Sequence, residues 1–280
     1  MLRGKVTLDR VVSLDYDGIE RLIIGFIRGL VEGAGVGGVV VGVSGGVDSA
    51  TTLALSVRAL GAERVYALIM PDSTVTPEED LRDARSLVKS LGVRWSQIDI
   101  APIVDVFKSS IPVYDGEEED RIPLGNLRAR IRMNLLYYYA NKLGYLVMGT
   151  GDRSEILIGY FTKYGDGAAD AFPIGVLYKS QVRRLALHLG VPERIALKPS
   201  SPRLWPGHEA EKELGLSYNE IDVVLHAVFD LGVPWEEASR VTGVAREKVE
   251  AIRERYEKSR HKREPPPMPS LEEVRRLYKA

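Results

Sequence analysis

The chain contains no cysteine among its 280 residues. This absence excludes disulfide bonds, zinc–thiolate sites, iron–sulfur clusters held by cysteine, and any mechanism that uses a thiol nucleophile. If the protein is an enzyme, its chemistry must therefore use oxygen and nitrogen groups, together with any bound ion or cofactor.

Net charge is also nearly absent, because 38 basic residues balance 39 acidic ones and leave a formal charge of −1. This balance gives no global electrostatic reason to expect a nucleic-acid partner, although a local basic patch stays possible. The sequence has no apolar run of about twenty residues and no signal-like start, so it predicts neither a membrane span nor export. We expect a cytoplasmic protein without nucleic-acid or membrane partners.

The stretch "VVVGVSGGVDS" at residues 39–49 joins an apolar run to a glycine-rich turn. Its β-branched first half predicts a parallel strand covered on both faces. Helical spacing begins at residue 48, so the turn presents the unpaired N–H groups of a helix N-terminus. Glycines let a ligand approach the backbone, and a phosphate suits this arrangement. A sharp turn without a ligand is the alternative.

Two common phosphate-binding motifs do not match this turn. A Walker A loop requires a lysine after its last glycine, and the dinucleotide fingerprint requires three glycines at fixed spacing; neither is present. The string S-G-G-x-D-S instead resembles the pyrophosphate loop (PP-loop) of the N-type ATP pyrophosphatases. Enzymes of that superfamily split ATP into AMP and pyrophosphate to activate a substrate oxygen.

Helical and strand patterns alternate through the first half of the chain. Helices are predicted over 16–33, 48–60, 77–92 and 124–144, and strands over 39–43, 65–70, 95–100 and 145–151. This alternation predicts an α/β fold in which helices flank a parallel sheet. Ligands bind at the carboxyl ends of such strands, where the glycine-rich turns after the first and last strands both lie.

The pattern changes after residue 151. Residues 159–175 are rich in glycine and small residues, which is typical of a mobile loop that closes over a substrate, although an ordinary surface loop has a similar composition. A helix is predicted over 180–190 and two or three more over 217–258, before a basic, proline-rich tail. We expect a single domain over 1–280, with an α/β core at about 16–205 and extra helices and the tail at about 206–280.

Further strings occur in order along the chain, namely "GNLRARIRMNLLY", "GTGDRSE", "GYFTKYGDGAAD", "FPIGVLYKSQVR", "LWPG" and "HKR". Together with the PP-loop they resemble the ammonia-dependent NAD synthetases. The string "FTKYGDGAAD" distinguishes these synthetases from other ATP pyrophosphatases, which share the loop but not this string. The resemblance implies an adenine nucleotide alpha-hydrolase-like, Rossmann-like fold. It also implies the last step of NAD biosynthesis, in which deamido-NAD, ATP and ammonia give NAD, AMP and pyrophosphate through an adenylated intermediate.

The resemblance implies a site for ATP and Mg²⁺. The implied ATP contacts are Gly42, Val43, Ser44, Gly45, Gly46, Val47, Asp48, Ser49, Thr150, Lys179 and Ser201. Asp48 and Glu155 match the metal carboxylates of the family, and hard oxygen ligands suit Mg²⁺. Lys179 would neutralise phosphate as a point charge. Without the resemblance, Glu155 would be interpreted as a surface acid and Thr150 as a helix N-cap.

The resemblance also implies a deamido-NAD site. The matching positions are Arg130, Lys163, Asp170, His261 and Lys262. In the family the equivalent of Arg130 comes from the neighbouring subunit, which implies a homodimer with active sites at the subunit interface. Taken alone, Arg130 is one of three arginines on its helix, with Arg128 and Arg132, and a solvated face is favoured for all three.

The 159–171 loop carries two of these positions, and we expect it to be poorly ordered without substrate because nothing else is expected to hold Lys163 and Asp170. No catalytic residue is assigned, although Asp166 in this loop is a candidate for deprotonating the attacking ammonia. The chain departs from the family at Ser201, where threonine is usual, and at His208 and Ala210, where glutamine and aspartate are expected.

Two other functions remain open. Another PP-loop ATP pyrophosphatase, of the tRNA-modifying or amidotransferase type, would share the loop, but the charge balance and the missing cysteines argue against it. A regulatory protein that senses ATP without turnover would not need Asp48, Glu155 and Lys179.

Overall fold

The computed structural model describes residues 5–278 of the chain. A sheet of four parallel strands lies at its centre, in the order β3-β2-β1-β4. The strands are β1 (Gly38–Gly42), β2 (Val65–Ile69), β3 (Arg94–Gln97) and β4 (Tyr145–Met148). In register, Val40 of β1 lies beside Tyr66 of β2 and Val147 of β4. The predicted parallel sheet is confirmed, and β1 with its glycine-rich turn occupies an interior position.

The described part of the chain forms fifteen α-helices around this sheet. They are α1 (Leu8–Val12), α2 (Tyr16–Gly33), α3 (Val47–Leu60), α4 (Glu78–Ser90), α5 (Ala101–Ser110), α6 (Arg121–Leu143), α7 (Arg153–Ile158), α8 (Lys179–His188), α9 (Glu193–Ala196), α10 (Ala210–Leu214), α11 (Tyr218–Leu225), α12 (Trp235–Thr242), α13 (Arg246–Lys258), α14 (Arg260–Arg263) and α15 (Leu271–Arg275). A π-helical turn follows α11. None of these helices combines the length and the hydrophobicity that crossing a bilayer requires.

The side chains of β1 alternate between two hydrophobic cores. Val39 and Val41 pack with α2, α3 and α8 on one face of the sheet, whereas Val40 packs with α5 and α6 on the other. All three valines are fully buried. Burial on both faces explains why the strand is apolar at every position instead of alternating. A third core, among α1, α7, α11, α12 and α13, includes Ile158, Ile221 and Ile252.

The third strand is shorter than the predicted 95–100. The N–H groups of Ile98 and Ile100 still donate to Ile69 and Pro71, so the chain continues along β2. The Asp99 carboxylate, however, accepts from the backbone N–H groups of Ser73 and Ala101, at 3.1 and 3.0 Å. Ala101 is the first residue of α5, a helix that was not predicted from the sequence, so Asp99 satisfies one of the unpaired N–H groups at the start of that helix.

Residues 159–175 contain no regular helix or strand beyond an isolated bridge between Met148 and Ala171. The irregular structure of this segment was predicted. The expectation that Lys163 and Asp170 have no partners within the protein was wrong. The Asp170 carboxylate accepts from the Val147 N–H at 2.7 Å, and the Lys163 ammonium donates to the His261 carbonyl at 2.5 Å. These contacts attach the segment to the edge of β4 and to α14.

Candidate active site

The glycine-rich turn lies between β1 and α3, with Gly46 as the N-cap of the helix. Inside the turn, the Ser49 hydroxyl accepts from the Ser44 N–H at 3.2 Å and donates to the Gly46 carbonyl at 3.0 Å. Gly45 has φ +83°, and a Cβ built there would lie 2.3 Å from the Asp80 carbonyl oxygen. Only glycine therefore fits at this position, where α4 packs directly against the turn.

Three carboxylates meet beside this turn. One ligand oxygen each from Asp48, Asp152 and Glu155 lies within 4.8 Å of the others. Asp48 is in the first turn of α3, Asp152 is the N-cap of α7, and Glu155 follows in that helix. The two helices begin at the ends of β1 and β4, which are paired in the sheet, and this brings the carboxylates together.

The Lys179 ammonium lies among these carboxylates. It is 2.6 Å from Asp48, 2.9 Å from Asp152 and 2.8 Å from Glu155, and the side chain has no exposed surface. Burial alone would lower the pKa of Lys179, but the three carboxylates raise it well above its ordinary value. Burial raises the pKa of Asp152 and of Glu155, and Lys179 opposes that shift. The Lys179 ammonium thus stays protonated and offsets part of the negative charge of the carboxylates.

The donors of this cluster suit a hard divalent cation. Three carboxylates and one ammonium leave two formal negative charges in excess when all are ionised, and the buried Asp48 Oδ1 has no hydrogen-bond partner in the described chain. Carboxylate oxygens are the ligands that Mg²⁺ takes in nucleotide sites. Asp48 and Glu155 were predicted here; Asp152 was missed. Its signal was the D-x-x-E spacing "DRSE", which is typical of an N-cap.

A pocket of about 500 Å³ opens in front of the turn and the carboxylates. The predicted site residues in its wall are Gly42, Val43, Ser44, Gly46, Val47, Asp48, Ser49, Thr150, Glu155, Asp166, Ser201 and Lys262. The Lys262 ammonium donates to the Gly159 and Phe161 carbonyls at 2.8 and 2.7 Å, which holds α14 against the 159–175 segment. Residues far apart in sequence thus share one wall.

Other predicted residues lie outside that wall. They are Gly45, Arg130, Lys163, Asp170, Lys179 and His261. Arg130 is exposed and donates to the Lys163 carbonyl at 3.3 and 3.4 Å. The N-cap interpretation of Thr150 is wrong, since Asp152 accepts from the Glu155 N–H at 2.8 Å and caps α7. The surface interpretation of Glu155 is also wrong, because its side chain is 19% exposed.

The prediction that Arg128, Arg130 and Arg132 of α6 all face solvent is wrong. Arg128 is 1% exposed, with its Nε 2.6 Å from the Asp72 carboxylate and its Nη1 donating to the Leu204 carbonyl at 3.0 Å. Arg132 lines the pocket and donates to the Met70 carbonyl at 2.9 Å. Of these three arginines, Arg128 is therefore buried, Arg130 is exposed and Arg132 lines the pocket.

His208, one of the departures from the family pattern, has a defined place in the pocket wall. Its ring stacks on Trp205 with centroids 3.5 Å apart, and its Nε2 lies 2.7 Å from the Glu213 carboxylate. The Tyr160 hydroxyl also donates to Glu213, at 2.6 Å, and the Ser201 hydroxyl donates to the His208 carbonyl. His208 thereby connects the proline-rich segment after α9 to α10.

Comparisons with known proteins concern the whole chain and its fold. A family model described as NAD synthase matches residues 19–266. The chain is 62% identical to an NH(3)-dependent NAD(+) synthetase of Aeropyrum pernix over 275 residues, which cover 98% of this chain and 96% of that protein. Among solved structures, an NMN synthetase from Francisella tularensis superposes with a TM-score of 0.81 at 32% identity, covering 92% of this chain and all of the other. An NH3-dependent NAD synthetase from Campylobacter jejuni superposes with a TM-score of 0.77 at 33% identity over the same shares.

Proposed function

The chain belongs to the NAD synthase family, and from that premise we propose how its residues carry out the reaction. It is a ligase of NAD biosynthesis that amidates deamido-NAD with ammonia at the expense of ATP. The residue assignment is supported by one observation: the glycine-rich turn between β1 and α3 and two carboxylates of the cluster, Asp48 and Glu155, line the same pocket. A pure nucleotide sensor has no need for the cluster.

The turn from Gly42 to Ser49 would hold the ATP phosphates. Its backbone N–H groups and the positive end of α3 favour negative charge, and the Ser44 and Ser49 hydroxyls are fixed in the turn. Thr150 and Ser201, which line the same pocket, would contribute further contacts. This arrangement would align the α-phosphorus with a nicotinate carboxylate, and alignment of that kind supplies much of the rate in such reactions.

Asp48 and Glu155 would hold Mg²⁺, with Asp152 beside them. When bound, the ion neutralises phosphate charge and stabilises the leaving pyrophosphate. In the described structure the Lys179 ammonium contacts one oxygen of each of these two carboxylates, and its side chain has no exposed surface. A direct contact between Lys179 and ATP would therefore require the ammonium to leave at least one carboxylate.

The two bond-making steps need no covalent bond to the protein. A nicotinate carboxylate oxygen attacks the α-phosphorus while the bond to pyrophosphate breaks. Ammonia then attacks the acyl carbon of this adenylate, and AMP leaves. Asp166, which lines the pocket and accepts from the Thr162 N–H at 2.9 Å, would take the proton that ammonia loses.

Lys163, Asp170, His261 and Lys262 would contact deamido-NAD, and Arg130 would reach the deamido-NAD of the neighbouring subunit in a homodimer. The exposure of Arg130 and its absence from the pocket wall of its own subunit support this assignment. On the same helix, the large apolar side chains of Ile122 and Tyr138 are 61% and 63% exposed, which suits an interface. We also propose a cytoplasmic location, because the reaction consumes ATP.

The test supplies purified protein with ATP, Mg²⁺ and deamido-NAD, and adds either ammonium chloride or ammonia-free glutamine. NAD, AMP and pyrophosphate should form in equal amounts with ammonium only, since the chain has no cysteine to release ammonia from glutamine. A parallel arm replaces deamido-NAD with nicotinate mononucleotide, the acid whose amidation gives NMN. Faster turnover of the mononucleotide would contradict the proposed acceptor.

The Gly45→Ala variant tests the phosphate turn, because its new Cβ would meet the Asp80 carbonyl oxygen at 2.3 Å. We expect ATP binding to be lost. Gly35→Ala is the matched control, since Gly35 also has positive φ, at +66°, but a Cβ added there would have no neighbouring atom within 4 Å. Equal ATP affinity in the two variants would contradict the assigned role of the turn.

A further inference from the structure

Among the residues assigned to ATP so far, Lys179 is the one cationic side chain. Lys179, the lysine expected to neutralise phosphate, has no exposed surface and contacts three carboxylates instead of the pocket. The ATP phosphates carry several negative charges, and their accumulation on the leaving group must be offset by positioned cations. A further cation for these phosphates would have to lie elsewhere in the pocket wall beside the turn.

Arg203 lies in that wall, on the irregular segment between α9 and α10. Its φ is +50°, a conformation that few residues other than glycine adopt and that is concentrated at ligand-binding positions. Its backbone N–H donates to the Ser201 hydroxyl at 3.3 Å. The local backbone is thus set in an uncommon conformation that places the arginine next to an expected ATP contact.

The guanidinium of Arg203 is connected to the phosphate turn through a single residue. Its Nε lies 2.7 Å from the Asp80 carboxylate, and the carbonyl of the same Asp80 abuts Gly45. The side chain is 29% exposed, and its two terminal nitrogens have no hydrogen-bond acceptor among residues 5–278. The paired Nε fixes the plane of the guanidinium and leaves the two outer nitrogens available to an anion.

The charges around Asp80 also favour an anionic ligand. Asp80 and Asp83 of α4 are paired with Lys198, Arg203 and Arg194, so three cations face two carboxylates. Lys198 bridges both acids, which leaves one positive charge in excess. Of the two arginines, only Arg203 lines the pocket that contains the turn.

We propose that Arg203 binds the β- and γ-phosphates of ATP and holds them as they leave as pyrophosphate. This inference rests on the proposed function. A planar guanidinium presents two N–H groups to phosphate oxygens, and such charge-assisted bonds are stronger than neutral ones. Asp80 orients the side chain, and AMP, which keeps only the α-phosphate, does not use it.

The test measures the binding of inorganic pyrophosphate with Mg²⁺, and separately of AMP, by calorimetry. Arg203→Ala should weaken pyrophosphate binding about ten- to a hundredfold, the range expected for a charge-assisted pair, and leave AMP binding within twofold of wild type. The KM for ATP should rise in the Arg203→Ala variant, while its KM for deamido-NAD should not change. Arg203→Lys keeps the positive charge but not the planar guanidinium, so its pyrophosphate affinity should lie between those of wild type and Arg203→Ala.

Arg194→Ala is the matched control, because Arg194 pairs with Asp83 on the same helix but does not line this pocket. Pyrophosphate affinity should be unchanged in this variant. Arg203→Gln keeps most of the side chain and replaces Arg203→Ala if alanine lowers the unfolding temperature. Equal losses of AMP and pyrophosphate affinity would show a structural role and overturn the proposal, as would pyrophosphate binding like that of wild type. Wild-type protein that forms no NAD would contradict the proposed function instead.

Discussion

Replacement of Arg128 by methionine should destabilise the protein by about 3–5 kcal/mol, the cost of removing one partner of a buried ion pair. Arg128 and Asp72 are each 1% exposed, and their closest atoms are 2.6 Å apart. Methionine fills much of the volume but cannot pair with the carboxylate. Asp72 keeps only its hydrogen bonds from the Thr74 N–H and hydroxyl, and the Leu204 carbonyl loses its donor.

Urea unfolding followed by circular dichroism measures this loss, and the unfolding temperature should fall by about 6–15 °C. Arg85→Met is the control, because the Arg85–Glu78 pair has 36% and 65% exposed side chains and should contribute less than about 1 kcal/mol. In a double-mutant cycle, adding Asp72→Asn to Arg128→Met should cost less than the same change in wild type, since the carboxylate is already unpaired. A loss below about 1 kcal/mol for Arg128→Met would refute the argument.

Three further predictions concern the site and its pH dependence. Asp48→Asn and Glu155→Gln should each lower turnover at least about a hundredfold with little change in unfolding temperature; an unaltered Mg²⁺ dependence would contradict the metal assignment. Mixing Arg130→Ala with Gly45→Ala subunits should restore activity in hybrid dimers, because one site then has both an intact turn and the partner's arginine; no recovery would contradict the dimer. Burial raises the pKa of Asp72, but hydrogen bonds from Thr74 and Arg128 outweigh it and hold the pKa below its usual value. The stability from this lowered pKa is present above about pH 4 and lost as pH falls through the folded pKa. The free energy of unfolding of Arg128→Met should therefore fall less steeply with decreasing pH than that of wild type; parallel pH profiles for the two proteins would contradict this.

The sequence predicted features that depend on neighbouring residues. The apolar run before the PP-loop identified β1, and periodicity with flanking glycines identified α2, α4 and α6 to within a few residues. Helix α5 was missed. The Asp99 carboxylate accepts from the N–H of its first residue, Ala101, and from that of Ser73 in another loop, a contact that local spacing does not reveal. Helix α7 was missed because six residues are too few to establish a helical period.

The sequence also identified the family, and with it Asp48 and Glu155 as carboxylates of one site. Their convergence with Asp152 and Lys179 depends on pairing between β1 and β4, since Lys179 and Asp48 are 131 residues apart in the chain. Composition could not separate Arg128 from Arg130 either. The same helix buries the first against Asp72 and exposes the second.

By itself, then, the amino-acid sequence determined the first strand, the glycine-rich turn after it, the alternation of strands with the long helices of the core, and the chemical class of the reaction. Each of these depends on local spacing or on strings of adjacent residues. Only the tertiary structure decided which charged groups are buried and with which partners. Lys179, expected from the family to contact ATP, faces carboxylates, and Arg203, which no sequence pattern indicated, lines the pocket. The physical reason is that desolvation and Coulomb energy depend on distances between groups, and these distances are set by how the helices pack against the sheet.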